Sequence, residues 1–274
     1  MPRRALFAVA VSAAALLVWV LMLRPSIDSL VFFPERGAPA PPRGIDEVWL
    51  TAEDGMRLHA WYAPGPADAP TLIWSHGNGG NVAGRADVLL ALQERGLSVL
   101  AYDYRGYGKS EGKPSEAGVY RDVLAAYENE RRRGVPAVRI VCFGESLGGA
   151  VAIYLASQRI CAGVVVVSTF TSLRDVARSH FGPLAALAGG KFDSLGRIRE
   201  LSVPFLAAHG DRDEIVPFAL GEQLAAAAPE PKRFLPIRGA HHNDIFASEK
   251  LLDEIARFAH EVAALAMDAV PRHR

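Results

Sequence analysis

The chain has 274 residues, a length that suits one large α/β domain plus an appendage. Half of its residues are hydrophobic and 30 basic side chains balance 30 acidic ones, so nothing in the charge points to nucleic acid. Two cysteines, Cys142 and Cys161, are too few for a disulfide framework, and both sit in or beside apolar runs, where buried free thiols are expected.

Residues 5–23 form an uninterrupted run of apolar and small side chains, about the length that crosses a bilayer core. Arg3 and Arg4 precede the run and Arg24-Pro25 close it. The expectation is a signal-anchor transmembrane helix within residues 1–25, with a cleaved signal peptide as the alternative. The positive-inside rule then puts the main domain on the non-cytoplasmic side of the membrane, against a counterweight from Arg24 and Arg36. Residues 26–44 are rich in Pro and Gly without a helical period and read as a linker or a wrapping segment leaving the membrane surface, within which 30–33 is apolar enough to pack on the domain or lie at the interface. The main domain is expected over 45–268 and a tail over 269–274.

Residues 47–52 and 57–62 alternate in polarity around Glu53-Asp54-Gly55, a hairpin signal. His59 falls inside the second of these strands, where a structural role is expected. A buried strand over 71–75 ends in His76-Gly77-Asn78-Gly79-Gly80. A helix over 84–95 stops at Gly96, a strand over 97–102 leads into a polar loop at 103–112, and a helix follows over 115–133. Residues 138–149 read V-R-I-V-C-F-G-E-S-L-G-G, an apolar strand entering a helix through one tight turn. The β-branched run 163–167 has the composition of a central parallel strand. Residues 169–199 are less regular and read as a small insertion over the sheet end. A strand over 203–208 opens into His209-Gly210-Asp211-Arg212-Asp213-Glu214; a helix over 218–228, a strand over 232–235 and a loop over 239–244 follow. Ser248 caps a closing helix that runs to 267. The alternation of strands and helices predicts an α/β fold: a mostly parallel sheet with an N-terminal antiparallel hairpin and helices on both faces. Ligands of such sheets bind at the carboxyl ends of the strands, where the polar loops and the 144–148 turn all fall.

Gly144-Glu145-Ser146-Leu147-Gly148 is a G-x-S-x-G turn between a strand and a helix. The glycines relieve crowding around a serine that the turn lifts to the sheet end, at a helix N-terminus that favours developing negative charge. An ordinary glycine-rich turn with a capping serine is the plainer reading. A serine hydroxyl needs a base, and the base an orienting acid, in the chain order Ser, Asp or Glu, His. Asp211, Asp213 and Glu214 are candidates for the acid, and His241 and His242 for the base. The same His-His-Asn-Asp loop could also be read as metal-binding, but no further ligand cluster at metal-like spacing accompanies it.

Five motifs in order, His76–Asn78, Asp103–Ser110, Gly144–Gly148, His209–Pro217 and Gly239–Asp244, make the chain resemble an α/β-hydrolase serine hydrolase of the compact, membrane-anchored branch. The resemblance runs over residues 30–258 and implies the α/β-hydrolase fold. It selects Asp213, three residues after Gly210, as the acid, and His242, directly before Asn243-Asp244, as the base for Ser146. His241 stands where the family pattern has a small residue. The resemblance implies an oxyanion hole from the backbone N–H groups of Leu147 and Asn78, with His76, Gly77, Gly144, Glu145 and Gly148 shaping the site. His209 is expected to be structural, and no role falls to His180, His260 or His273. Tyr104, Arg105, Tyr107 and Lys109 are expected near the site, as scaffold or as substrate contacts.

The implied activity is hydrolysis of a carboxylic ester, thioester or related acyl bond on a small-molecule or acylated substrate, lipid or protein, through an acyl-enzyme. It calls for no cofactor and no metal. A serine aminopeptidase and a non-catalytic binding module on the same fold are the competing readings; the oligomeric state is left open.

Overall fold

Period-two alternation in the buried strands divides their apolar residues between the two faces of a single sheet. In Thr71–Ser75, Ile73 faces one core while Leu72 and Trp74 face the other; in Gly163–Val167, Val164 and Val166 oppose Val165 and Val167. Both faces are buried, as a parallel sheet covered by helices requires.

The computed structural model describes residues 30–183 and 191–269. Its strands are β1 (Phe33–Pro34), β2 (Asp46–Thr51), β3 (Arg57–Ala63), β4 (Thr71–Ser75), β5 (Gly79–Gly80), β6 (Ser98–Tyr102), β7 (Ile140–Glu145), β8 (Gly163–Val167), β9 (Phe205–Gly210) and β10 (Lys232–Ile237). Eight of them form one sheet in the order β10-β9-β8-β7-β4-β6-β3-β2. Neighbours from β10 to β6 are parallel, and β3 and β2 add antiparallel. The helices are α1 (Ala86–Glu94), α2 (Glu116–Arg132), α3 (Leu147–Gln158), α4 (Leu173–Phe181), α5 (Ser194–Ile198), α6 (Phe218–Ala227) and α7 (Glu249–Asp268). Helices α2, α3, α5 and α6 pack on one face, and α1 and α7 on the other. This is the expected α/β-hydrolase architecture with its N-terminal hairpin.

Side-chain caps place the helix starts. Ser115 Oγ accepts from Gly118 N–H (3.1 Å) and Ser248 Oγ from Leu251 N–H (3.3 Å), each worth about 1 kcal/mol. The region 169–199 contributes α4 and α5; residues 184–190 between them lie outside the described residues.

The membrane reading is corrected. No helix among the described residues is long and apolar enough to cross a membrane. The longest described helix, α7, has 20 residues, but Glu249, Lys250, Asp253, Glu254, Arg257, Glu261 and Asp268 interrupt it, and it buries a single stripe against the sheet. The transmembrane signal anchor, the membrane as partner and the non-cytoplasmic placement are withdrawn on that finding. The run 5–23 that prompted them lies outside the described residues.

Candidate active site

The turn between β7 and α3 is too tight for ordinary residues. A Cβ on Gly144 would run into the Gly148 carbonyl, and one on Gly148 into the Ser75 carbonyl on β4. Ser146 between them adopts φ 51°, a left-handed conformation that a residue with a side chain avoids unless its surroundings impose it. The surroundings do so here through three bonds. Ser146 N–H donates to Val167 O (2.8 Å), while Ser146 O accepts from Thr169 Oγ1 (2.7 Å) and Gly149 N–H (3.0 Å). The hydroxyl therefore stands at the first turn of α3, where Leu147 N–H has no carbonyl four residues back within the helix.

Two loops from the end of the sheet converge on it. His242, after β10, lies with Nε2 3.0 Å from Ser146 Oγ and Nδ1 2.7 Å from Asp213 Oδ2. The network assigns the proton to Nδ1, which donates to Asp213 and leaves Nε2 to accept from the serine hydroxyl. Asp213, after β9, is itself held in place. Its Oδ1 accepts from Ile215 N–H (2.9 Å) and Val216 N–H (2.7 Å), and His209 Nε2 lies 3.2 Å from Oδ2. Burial works against the charge on this carboxylate, but bonds from His209, His242 and the Val216 amide prevail and hold it well below the usual carboxylate range.

The other candidates in these loops face elsewhere. Asp211 Oδ1 accepts from Gly239 N–H (2.7 Å), which ties the loop after β9 to the loop after β10. His241 Nδ1 pairs with Glu214 at 2.9 Å on the exposed side of the loop. The two adjacent histidines point to different carboxylates and do not converge on a common point. Among the described residues no group of three or more His, Cys, Asp or Glu could hold a metal ion.

The His76–Gly80 loop packs against the turn between β7 and α3. His76 Nδ1 donates to Gly77 O (2.7 Å), and burial, with the Arg85 charge next, lowers its imidazole to about 4. It is a neutral ring tilted against Tyr104, with centroids 4.5 Å apart. Tyr104 OH donates to His76 O (2.8 Å) and Tyr107 OH to Asn78 O (2.7 Å), so both tyrosines serve as scaffold for this loop. Arg105 bonds Asp122 and Asp54, and Lys109 pairs with Glu47. Glu145 Oε1 accepts from Arg85 Nη2 (2.9 Å), whose Nη1 also donates to Gly79 O (3.0 Å). This ion pair joins the loop to the turn between β7 and α3, and Arg85 carries no motif by which sequence reasoning could have found it. Thr169 was missed in the same way.

His59 is fully buried on β3, bonded to Asp103 (2.6 Å) and Glu47 (3.0 Å). His180 Nε2 donates to Ile215 O (2.8 Å), and His260 reaches Arg95 O (3.2 Å) on α1's side of the sheet. Cys142 and Cys161 are both free and buried.

Residues 67–196 match the model of the family described as Hydrolase_4: Serine aminopeptidase, S33. An uncharacterized protein of Mycobacterium tuberculosis is 40% identical over 278 residues, spanning 97% of this chain and 96% of its own. The alpha/beta hydrolase domain-containing protein 17C of Mus musculus is 33% identical over 215 residues, covering 77% of this chain and 67% of its own. Among solved structures, the Pyrococcus furiosus esterase Pf2001 aligns over 84% of this chain and 98% of its own, with TM-score 0.69 and 21% identity.

Proposed function

The chain belongs to the α/β-hydrolase family, and from that premise we propose that it is a serine hydrolase of carboxylic esters or thioesters that works through an acyl-enzyme. The observation that carries the reading is the unbroken chain Ser146 Oγ, His242 Nε2, His242 Nδ1, Asp213 Oδ2, with links of 3.0 and 2.7 Å. In this reading His242 takes the serine proton as Oγ attacks the acyl carbonyl. The tetrahedral oxyanion is held by the N–H groups of Leu147 and Asn78. The carbonyl re-forms, the bond to the leaving group breaks, and His242 passes its proton to the departing oxygen or sulfur. Water then repeats the sequence and releases the acid, while Asp213 keeps the imidazole in one tautomer.

An acyl chain is the substrate feature that the surroundings favour. Phe33, whose N–H bonds Asn78 O, and Ile215, two residues past Asp213, are both exposed, as is Phe181 beside the His180–Ile215 bond. Lipid esters and acylated proteins both present such a chain.

The family model's description favours a second reading, a serine aminopeptidase. That activity needs a carboxylate free to bind the substrate's amino terminus. Of the candidates, Glu145 is paired with Arg85 and Glu214 with His241, which supports the ester reading over it. Parallel assays on p-nitrophenyl esters of rising chain length and on aminoacyl p-nitroanilides decide between the two. Turnover of the esters that is lost in Ser146→Ala supports the proposal. Turnover confined to the anilides overturns it in favour of the peptidase, and turnover of neither by folded protein supports a binding module.

A further inference from the structure

The loop assigned the second oxyanion donor contains Gly77, Gly79 and Gly80, a composition with little stiffness of its own. An oxyanion hole works only when its donors are oriented before charge develops. What stiffens this loop comes from outside it, from residues 31–37 near the start of the described chain.

The grip is closest at Asn78. Its side-chain Nδ2 donates to Val31 O (2.9 Å), and its carbonyl accepts from Phe33 N–H (2.9 Å) as well as from Tyr107 OH. The strands β1 and β5 then pair in parallel, Phe33 with Gly79 and Pro34 with Gly80. Glu35 N–H continues the ladder to Gly80 O (3.2 Å), and Asn81 Nδ2 donates to Gly37 O (2.8 Å). The peptide plane that carries Asn78 N–H is the one whose oxygen, Gly77 O, accepts from His76. The planes on both sides of the Asn78 Cα are therefore pinned, one from His76 and the other from the strap.

The strap is anchored independently of the loop it holds. Phe32 is buried edge-on between Tyr107 and Phe192, with ring centroids 6.5 and 6.2 Å away. Arg36 donates to Ser110 O (3.1 Å) and Gly112 O (3.0 Å), and Gly37 and Glu35 exchange backbone bonds with Gly108. The matched family model begins only at residue 67, so the strap lies outside it.

We propose that residues 31–37 are a positioning element of the hydrolytic site, holding the Asn78 N–H in the orientation that binds the oxyanion. The proposal rests on the serine-hydrolase reading above. It predicts that loosening the strap slows turnover without weakening substrate binding. Sulfur is a larger and poorer hydrogen-bond acceptor than oxygen, so a well-aligned oxyanion hole favours an oxoester over its thionoester, and a loosened hole favours it less.

The test is made in the full chain with Phe33→Pro, which removes the N–H that bonds Asn78 O, and with Asn78→Ala, which keeps the backbone donor but loses the bond to Val31. The two variants act from opposite sides, so a folding failure in one leaves the other informative. Wild type, both variants and Ser146→Ala are assayed on p-nitrophenyl acetate and its thiono analogue, with folded protein quantified by circular dichroism. The expected result is a fall in kcat of about 10- to 100-fold in the folded variants, KM within about twofold, and a matching fall in the oxo-to-thiono ratio. Folded variants that keep kcat within about twofold, or lose it with the ratio unchanged, overturn the positioning role. If Ser146→Ala is as active as wild type, the hydrolase reading fails first and the proposal falls with it.

Discussion

Asp213 and His242 meet at 2.7 Å, and Asp103 and His59 meet at 2.6 Å. Each aspartate follows a parallel strand, β9 or β6, at the end of the sheet where ligands bind, and each faces an Nδ1. The pairs differ in what lies beyond the ring. His242 Nε2 faces the Ser146 hydroxyl, whereas His59 Nε2 faces the Glu47 carboxylate at 3.0 Å. With both nitrogens of His59 taken up by carboxylates, none is left to accept a proton from another group, and the side chain has no exposure to solvent. In the proposed mechanism the same two residue types thus make a base in one place, and they form a buried clasp between strands in the other. The second partner decides the role.

Removing the Ser146 hydroxyl separates the two pairs most strongly. Ser146→Ala, or loss of its base in His242→Ala, should lower ester turnover by about 10⁴-fold or more while leaving the melting temperature close to wild type. Asp213→Asn should cost up to about 10⁴-fold in kcat, because an amide there stabilises the wrong imidazole tautomer. Retention of most activity in either case would remove the distinction drawn between the pairs. His59→Gln should act on stability instead. Breaking a buried pair and stranding the Asp103 carboxylate costs about 3 kcal/mol, read as a shift in the urea midpoint, with activity per folded molecule retained.

His76 extends the clasp, with Nε2 3.8 Å from Asp103 Oδ1, and gives a pH test. Its folded value of about 4 lies below the ordinary imidazole value, so the fold favours the neutral ring. The stability this contributes is fully present above pH 6.5 and is lost as pH falls toward 4, at about 1.4 kcal/mol per unit. The stability gap between wild type and His76→Asn, measured in urea at pH 7, 6 and 5, should narrow by about half that slope from pH 7 to 6 and by close to the full slope from pH 6 to 5. A constant gap would contradict a buried neutral ring. The smallest effect belongs to His241→Ala, whose ring pairs with Glu214 on the exposed side of the loop, and whose kcat/KM should stay within about twofold.

Much of this was legible in the sequence, for identifiable reasons. The β-branched run 163–167 has no stable place except between two packed faces, and β8 occupies those residues. The glycines at 144 and 148 announced a turn where backbones nearly touch, and the chain order of serine, acid and base narrowed the search to two histidines. The residues that sequence reasoning missed act at long range. Arg85 meets Glu145 across 60 positions, and the strap bonds backbone groups more than 40 positions away. A backbone bond leaves no side-chain pattern. Residues 26–44 offered an apolar stretch at 30–33 able to pack on the domain, but no pattern to say that the chain from Phe33 to Gly37 pairs with the site loops.

In the proposed mechanism Ser146 is the one hydroxyl among the described residues that a histidine activates. Intact-protein mass spectrometry after exposure to a fluorophosphonate tests it directly, on wild type, Ser146→Ala, His242→Ala and His59→Gln. One adduct, mapped to Ser146, is expected on wild type and on the His59 variant, and none on the other two. Folded wild type that gains no adduct, or an adduct that persists in Ser146→Ala, would contradict it.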